Sequence, residues 1–178
     1  MADVTDFGDY SVKAVKSFEG HDGYGFNCNL YRGKKKIATC HDGAYGGEVE
    51  IHWEGKEING EYVSCYKEEE PLLQAHCNSL PEVKYGEGLT GSFKVDQSFF
   101  VTELVTKWER DKDVRKMQKQ CQTKTLFRQP NAKLGSYQIF NAPLSDRLRE
   151  HIKAKYGECE IFNDVLEKGE VPSVLLGN

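Results

Sequence analysis

The chain has 178 residues, a formal net charge of −4, and 38% hydrophobic against 29% charged residues. Nine phenylalanines, nine tyrosines and two tryptophans give it the bulk for a core, which excludes a disordered polymer. No stretch reaches the roughly eighteen apolar residues of a membrane-spanning helix. The opening MADVTDFGDY has three aspartates and neither the basic nor the apolar region of a secretory signal, so a cytoplasmic protein is expected.

Six cysteines (Cys28, Cys40, Cys65, Cys77, Cys121 and Cys159) are then read in a reducing compartment, where an even number implies no disulfides. No C-x-x-C pair and no zinc-finger spacing occurs, so they are expected to be packed thiols, and no cofactor is expected.

In chain order, residues 11–18 predict a first strand. Residues 24–32 alternate: Tyr24, Phe26, Cys28 and Leu30 face one way and Asn27, Asn29 and Tyr31 the other, the period of a half-buried strand. Gly33 reverses the chain, and residues 36–40 return. Residues 48–53 alternate again, with Val49, Ile51 and Trp53 inward and Glu48, Glu50 and His52 outward. Residues 54–60 read as a turn and 61–66 as a further strand, completing a meander of four or five strands.

Residues 68–80 predict a short helix, with Pro71 in its first turn and Pro81 after its end. The glycine-rich residues 85–92 form the best connector between two halves, so the expected organisation is a sheet region at 1–84, a connector at 85–95, a basic helical region at 96–164 and a tail at 165–178. From Asp96 to about Gln122 the pattern is helical, with Asp96 or Ser98 as cap. Phe100, Val101, Leu104, Val105 and Trp108 make one apolar stripe; Val114, Met117 and Cys121 make a second, roughly half a turn around the axis. Either the helix breaks at 109–113, or it leaves one core and buries another face. In both cases Lys112, Arg115, Lys116 and Lys119 share an outward face, with Lys124 and Arg128 following. Residues 123–130 and 135–140 read as strands, 143–157 as a helix capped by Ser145 and closed by Gly157, and 158–162 as a last strand. Val174, Leu175 and Leu176 are able to dock in the tail. The fold class expected is α+β: an N-terminal antiparallel meander followed by a mainly helical half with a few short strands.

The tripeptide His-Asp-Gly occurs twice, at residues 21–23 and 41–43. If Tyr31 and Lys35 flank the hairpin turn, Tyr24 pairs near Asp42, and both copies fall at one end of the sheet. His52 pairs back near Lys36, at the other end. His21, Asp22, His41 and Asp42 are then within reach of a shared transition metal. The competing reading is two turns, in which each Asp bonds local backbone and each Gly accepts positive φ.

Charge is uneven. Residues 112–155 hold eleven Lys/Arg against Asp113, Asp146 and Glu150, leaving −12 on the remainder. A local cationic field of that kind attracts nucleic acid or an acidic protein surface. For a single strand, Phe127 and Tyr137 are the aromatic candidates beside it, with core packing as the alternative.

The segments GYGFNCNLYRGKKKIATCHDGAYGGEVEIHW, KTLFR and IKAKYGECEIFND resemble small hypothetical proteins encoded by phages and prophages. The resemblance covers most of residues 18–53 and 124–164 and carries no reaction. It implies expression in an infected bacterial cell and an accessory role; such proteins often bind and disable a host machine, including defence systems such as CRISPR complexes. A non-enzymatic binder of a host protein or ribonucleoprotein is therefore expected, with nucleic-acid binding and a metal-dependent hydrolase as alternatives.

Overall fold

Four strands build the antiparallel meander that the alternating segments predict: β1 (Tyr10–Gly20), β2 (Gly23–Arg32), β3 (Lys35–Asp42) and β4 (Glu50–Trp53), in that spatial order. The structure, a computed structural model, describes residues 4–85, 90–133 and 135–176. It divides into two units, Met1–Trp108 and Glu109–Asn178. The fold class is α+β.

In the first unit the sheet buries one face. Tyr10, Val12, Phe26, Cys28, Leu30, Ala38 and Cys40 point into a core completed by α1 (Tyr66–Ser79) and the start of α2 (Gln97–Cys121). Two irregularities shift the register. Arg32 rather than Tyr31 pairs with Lys35 at the turn, and Ile37 is an extra residue between the pairs Leu30–Ala38 and Tyr31–Lys36; each moves the register by one, so Phe26 rather than Tyr24 faces Asp42. In β1, Ala14 takes φ 54° and the pairing jumps from Lys13–Asn29 to Lys16–Asn27. An inserted residue reverses strand parity. Beyond it Lys16 and Phe18 join Lys13 on the open face, while Val15 packs toward the core.

Gly55 to Ile58 is a strand, β5 (Gly55–Ile58), where the sequence suggests a turn; it pairs with β6 (Glu61–Ser64) as a separate hairpin. Only Asn59 and Gly60 turn, both at positive φ (53° and 83°), as a type I′ hairpin requires. Helix α1 begins at Tyr66, ahead of its glutamates, so Pro71 stands inside the helix rather than in the first turn. The connector residues 86–89 lie outside the described residues. Those flanking them pair as β7 (Val83–Lys84) and β8 (Ser92–Phe93).

Helix α2 starts on the Asp96 carboxylate, which accepts from Phe99 N at 2.7 Å. It runs unbroken through residues 109–113. Phe100, Val101, Leu104 and Val105 are buried in the first core; Met117 is buried in the second, with Val114 and Cys121 packed against it.

The second unit joins β9 (Thr125–Arg128) to β10 (Gln138–Phe140) and β11 (Glu160–Ile161), all antiparallel. Helix α3 (Asp146–Tyr156) is capped by Ser145 Oγ, which accepts from Leu148 N at 3.3 Å, and ends on Gly157 at φ 78°. Phe162, expected to end a strand, begins the short α4 (Phe162–Glu167) and fills the second core with Leu126 and Leu166. The tail is anchored: Val174 and Leu175 pack on that core from a 3-10 turn (Ser173–Leu175).

Candidate binding surfaces

Lys112, Arg115, Lys116 and Lys119 are all exposed on α2. Spacings of three and four residues put them on one face of the helix. Among the described residues, Arg115, Lys116 and Lys119 form no ion pair with the chain's own carboxylates. Two other cations of the unit are engaged. Arg149 pairs with Asp164 and sits 3.8 Å from Asp146, and Lys153 pairs with Glu158 at 2.7 Å. Those partners hold both groups more firmly charged than an isolated side chain, through hydrogen bonds to Asp164 and Glu158 respectively.

The two remaining members of the predicted basic set differ from the quartet. Lys124 is half-buried, and its carbonyl accepts from Asn163 Nδ2 at 2.9 Å. Arg128 turns inward: Nη1 donates to Ser173 Oγ at 3.1 Å and Nη2 to Ala132 O at 3.4 Å. Its guanidinium fastens β9 to the C-terminal turn. Phe127 is fully buried and stacks on Phe140, with Tyr156 on another side; Tyr137 packs on Phe162. Neither ring is presented beside the basic face.

The two His-Asp-Gly copies do share one end of the sheet, where Asp22 N donates to Ala44 O at 2.9 Å. Their side chains turn to separate neighbours. His21 Nδ1 bonds Asp22 at 2.8 Å, His41 Nδ1 donates to Asn27 Oδ1 at 2.9 Å, and Asp42 Oδ1 accepts from Ala44 N at 2.8 Å. Among the described residues no three His, Cys, Asp or Glu side chains gather as a metal site. His52 is not at the far end: it faces Thr39, two positions from His41 on the same open face, and donates to Glu50 at 3.3 Å. The β3–β4 register, which runs without irregularity from Ala38–Trp53 to His41–Glu50, fixes that position.

The second unit also holds a cleft of about 430 Å³ lined by Gln118, Cys121, Arg149, Asn163 and Glu167. The polar groups there serve the fold. Asn163 bonds three backbone groups, Arg149 is held by Asp164, and burial pushes the Cys121 thiol up. A nucleophile needs the opposite shift. No helix among the described residues is long and apolar enough to cross a membrane. In comparison with known proteins, the chain matches no protein-family model, no curated protein and no solved structure.

Proposed function

We propose that the protein acts by binding, as a phage-type accessory protein that docks the α2 cations on an acidic surface of a host protein or ribonucleoprotein, such as a defence complex, and blocks it. The observation that carries this reading is the cluster of Arg115, Lys116 and Lys119, exposed and without ion pairs to their own chain among the described residues. Exposed cations of one sign accelerate encounter and select an oppositely charged partner. The phage-like sequence pattern supports a bacterial host as the source of that partner.

The test is side-by-side capture from bacterial lysate with the wild-type protein and the triple reversal Arg115→Glu, Lys116→Glu and Lys119→Glu. The captured partner is then purified and titrated at two salt concentrations. The reversal is expected to weaken the complex by about 2 kcal/mol and to flatten its salt dependence. Equal binding by both forms would remove the reading. If the captured species is naked nucleic acid, its affinity falls by about 0.7–0.9 decades per decade of salt for each phosphate neutralised, and the phosphate-binding alternative replaces it.

A further inference from the structure

The open face of the four-stranded sheet lies in the first unit, away from the helical cations in sequence, and carries its own chemistry. Strand register fixes its membership. Lys13 faces Asn29, which neighbours Thr39, which neighbours His52; Lys16 faces Asn27, then His41, then Glu50; and Phe18 faces Gly25. No residue of either hydrophobic core lies among these.

Two ring sites are assembled on it. Phe18 stacks on His41 with centroids 6.2 Å apart and planes 22° apart. It lies across Gly25, where a Cβ would stand 2.8 Å from its ring. Tyr31 carries the Lys13 ammonium 4.3 Å above its centroid. Tyr31 lies six positions along β2 from Gly25, a span of about 20 Å at strand rise. Between the rings stand the amides of Asn27 and Asn29, both with donor and acceptor capacity.

Charge on this face favours an anion. Its carboxylates are occupied: Glu50 accepts from His52 at 3.3 Å, and Glu54 at the sheet margin holds Lys36 at 2.6 Å. Lys13 and Lys16 are exposed and form no ion pair among the described residues.

We infer that this sheet face is a platform for single-stranded nucleic acid, with Phe18, His41 and Tyr31 stacking bases, Lys13 and Lys16 meeting phosphates, and Asn27 and Asn29 touching base edges. Flat rings bind any unpaired base and cannot reach one stacked in a duplex. The Ala14 bulge is what brings Phe18 and Lys16 to this side, and bulges commonly re-aim side chains at sites. The first unit carries eighteen acidic against eleven basic side chains, so non-specific attraction cannot supply the affinity and stacking must. With two phosphate contacts, the salt slope on a single strand is about −1.4.

The test is fluorescence anisotropy of labelled oligothymidine and oligouridine, with a duplex of the same length, titrated with the full chain at low and physiological salt. A preference for single strands of at least about tenfold is expected. Phe18→Leu with Tyr31→Leu should weaken single-strand binding by about tenfold or more, the range set by base–aromatic stacking. The helix variant Lys116→Glu/Lys119→Glu should change it by no more than about twofold, which separates this inference from the helical docking reading. If the ring variant loses its fold by circular dichroism, Lys13→Glu/Lys16→Glu is the substitute, and about fivefold weaker binding is expected. No anisotropy change at about 100 µM protein, equal affinity for duplex, or loss only in the helix variant would each overturn it. So would capture of a protein that depends on Phe18 and Tyr31 while oligonucleotides never bind, since the face would then serve a protein.

Discussion

Arg32 holds Glu69 with two parallel hydrogen bonds, Nε to Oε2 at 2.7 Å and Nη2 to Oε1 at 3.1 Å. Lys35 adds a third, to Oε1 at 2.7 Å. The two cations flank the Gly33–Lys34 turn, and Glu69 is the fourth residue of α1, so this carboxylate pins the β2–β3 hairpin to the helix behind it. At 1% exposure it has no water to replace those donors.

Glu69→Ala is therefore expected to destabilise the first unit by about 2–3 kcal/mol, below the cost at a fully buried pair because both cations reach solvent. The hydrogen bond from Arg32, with help from Lys35 and against burial, holds the Glu69 carboxyl below the usual glutamate range. A depressed folded-state pKa gives stability that is fully present above the ordinary value of about 4.3 and lost as pH falls through the folded value. Urea midpoints read from Trp53 and Trp108, both packed on the first core, should fall between pH 6 and 3 more steeply in the wild type than in Glu69→Gln. Parallel slopes would refute the coupling.

Cys28 and Cys40 face each other across β2 and β3, buried at 2% and 0% exposure. Hydrogen bonding to Cys28 and burial push the Cys40 thiol far up, and burial pushes Cys77 up to about 11. Half-buried Cys65, Cys121 and Cys159 are also raised by burial. Iodoacetamide at neutral pH should thus label the protein slowly, at Cys65, Cys121 and Cys159 first, with Cys28, Cys40 and Cys77 labelled only on unfolding. Peptide mass spectrometry over time reads the order. Early labelling of Cys28 or Cys40 would contradict this packing.

The sequence makes visible what is periodic and local. The alternation of Phe26, Cys28 and Leu30, the caps at Asp96 and Ser145, and the closing Gly157 each depend on a few neighbouring residues, and each stands as read. Inserted residues are a different matter. Nothing in SVKAVKSF signals that Ala14 takes positive φ, and that one residue decides whether Phe18 faces the core or the open sheet. Glu69 looks like a member of an acidic run in the sequence; its burial follows from the tertiary meeting of α1 with a hairpin turn over thirty residues earlier. The exposed side of α2 was readable from spacing alone, whereas the inward turn of Arg128 depends on Ser173, far along the chain.

Asn163 joins three segments of the second unit. Its Nδ2 donates to Cys121 O at 3.1 Å and Lys124 O at 2.9 Å, while Oδ1 accepts from Leu126 N at 3.0 Å. It closes the end of α2 onto β9. Asn163→Ala leaves these half-buried backbone groups without partners and is expected to cost about 2–3 kcal/mol. Asn163→Asp is expected to cost at least as much, since it keeps the acceptor for Leu126 N but sets a carboxylate oxygen against the Cys121 and Lys124 carbonyls. Hydrogen exchange at Leu126 is the sharpest readout: faster in Asn163→Ala, near wild type in Asn163→Asp. The same rate in both variants would show that the carbonyl oxygen is not what holds that amide.

The glycines at the turn end of the sheet give a paired test. A Cβ on Gly25 would stand 2.3 Å from Asp42 O as well as against the Phe18 ring, so backbone has to move. At Gly47, outside the positive-φ region, a Cβ meets nothing within 4 Å. Gly25→Ala is expected to lower stability by about 2 kcal/mol through overpacking, and Gly47→Ala to leave it within about 0.5 kcal/mol. Because Gly25 is the floor beneath Phe18, its substitution should also unseat the stack on His41. The same urea titration therefore needs a companion spectrum: the His41 ring resonances shift in Gly25→Ala and stay in place in Gly47→Ala. A stable Gly25→Ala with unshifted His41 would mean that β2 and β3 part more easily than the Asp42 contact implies.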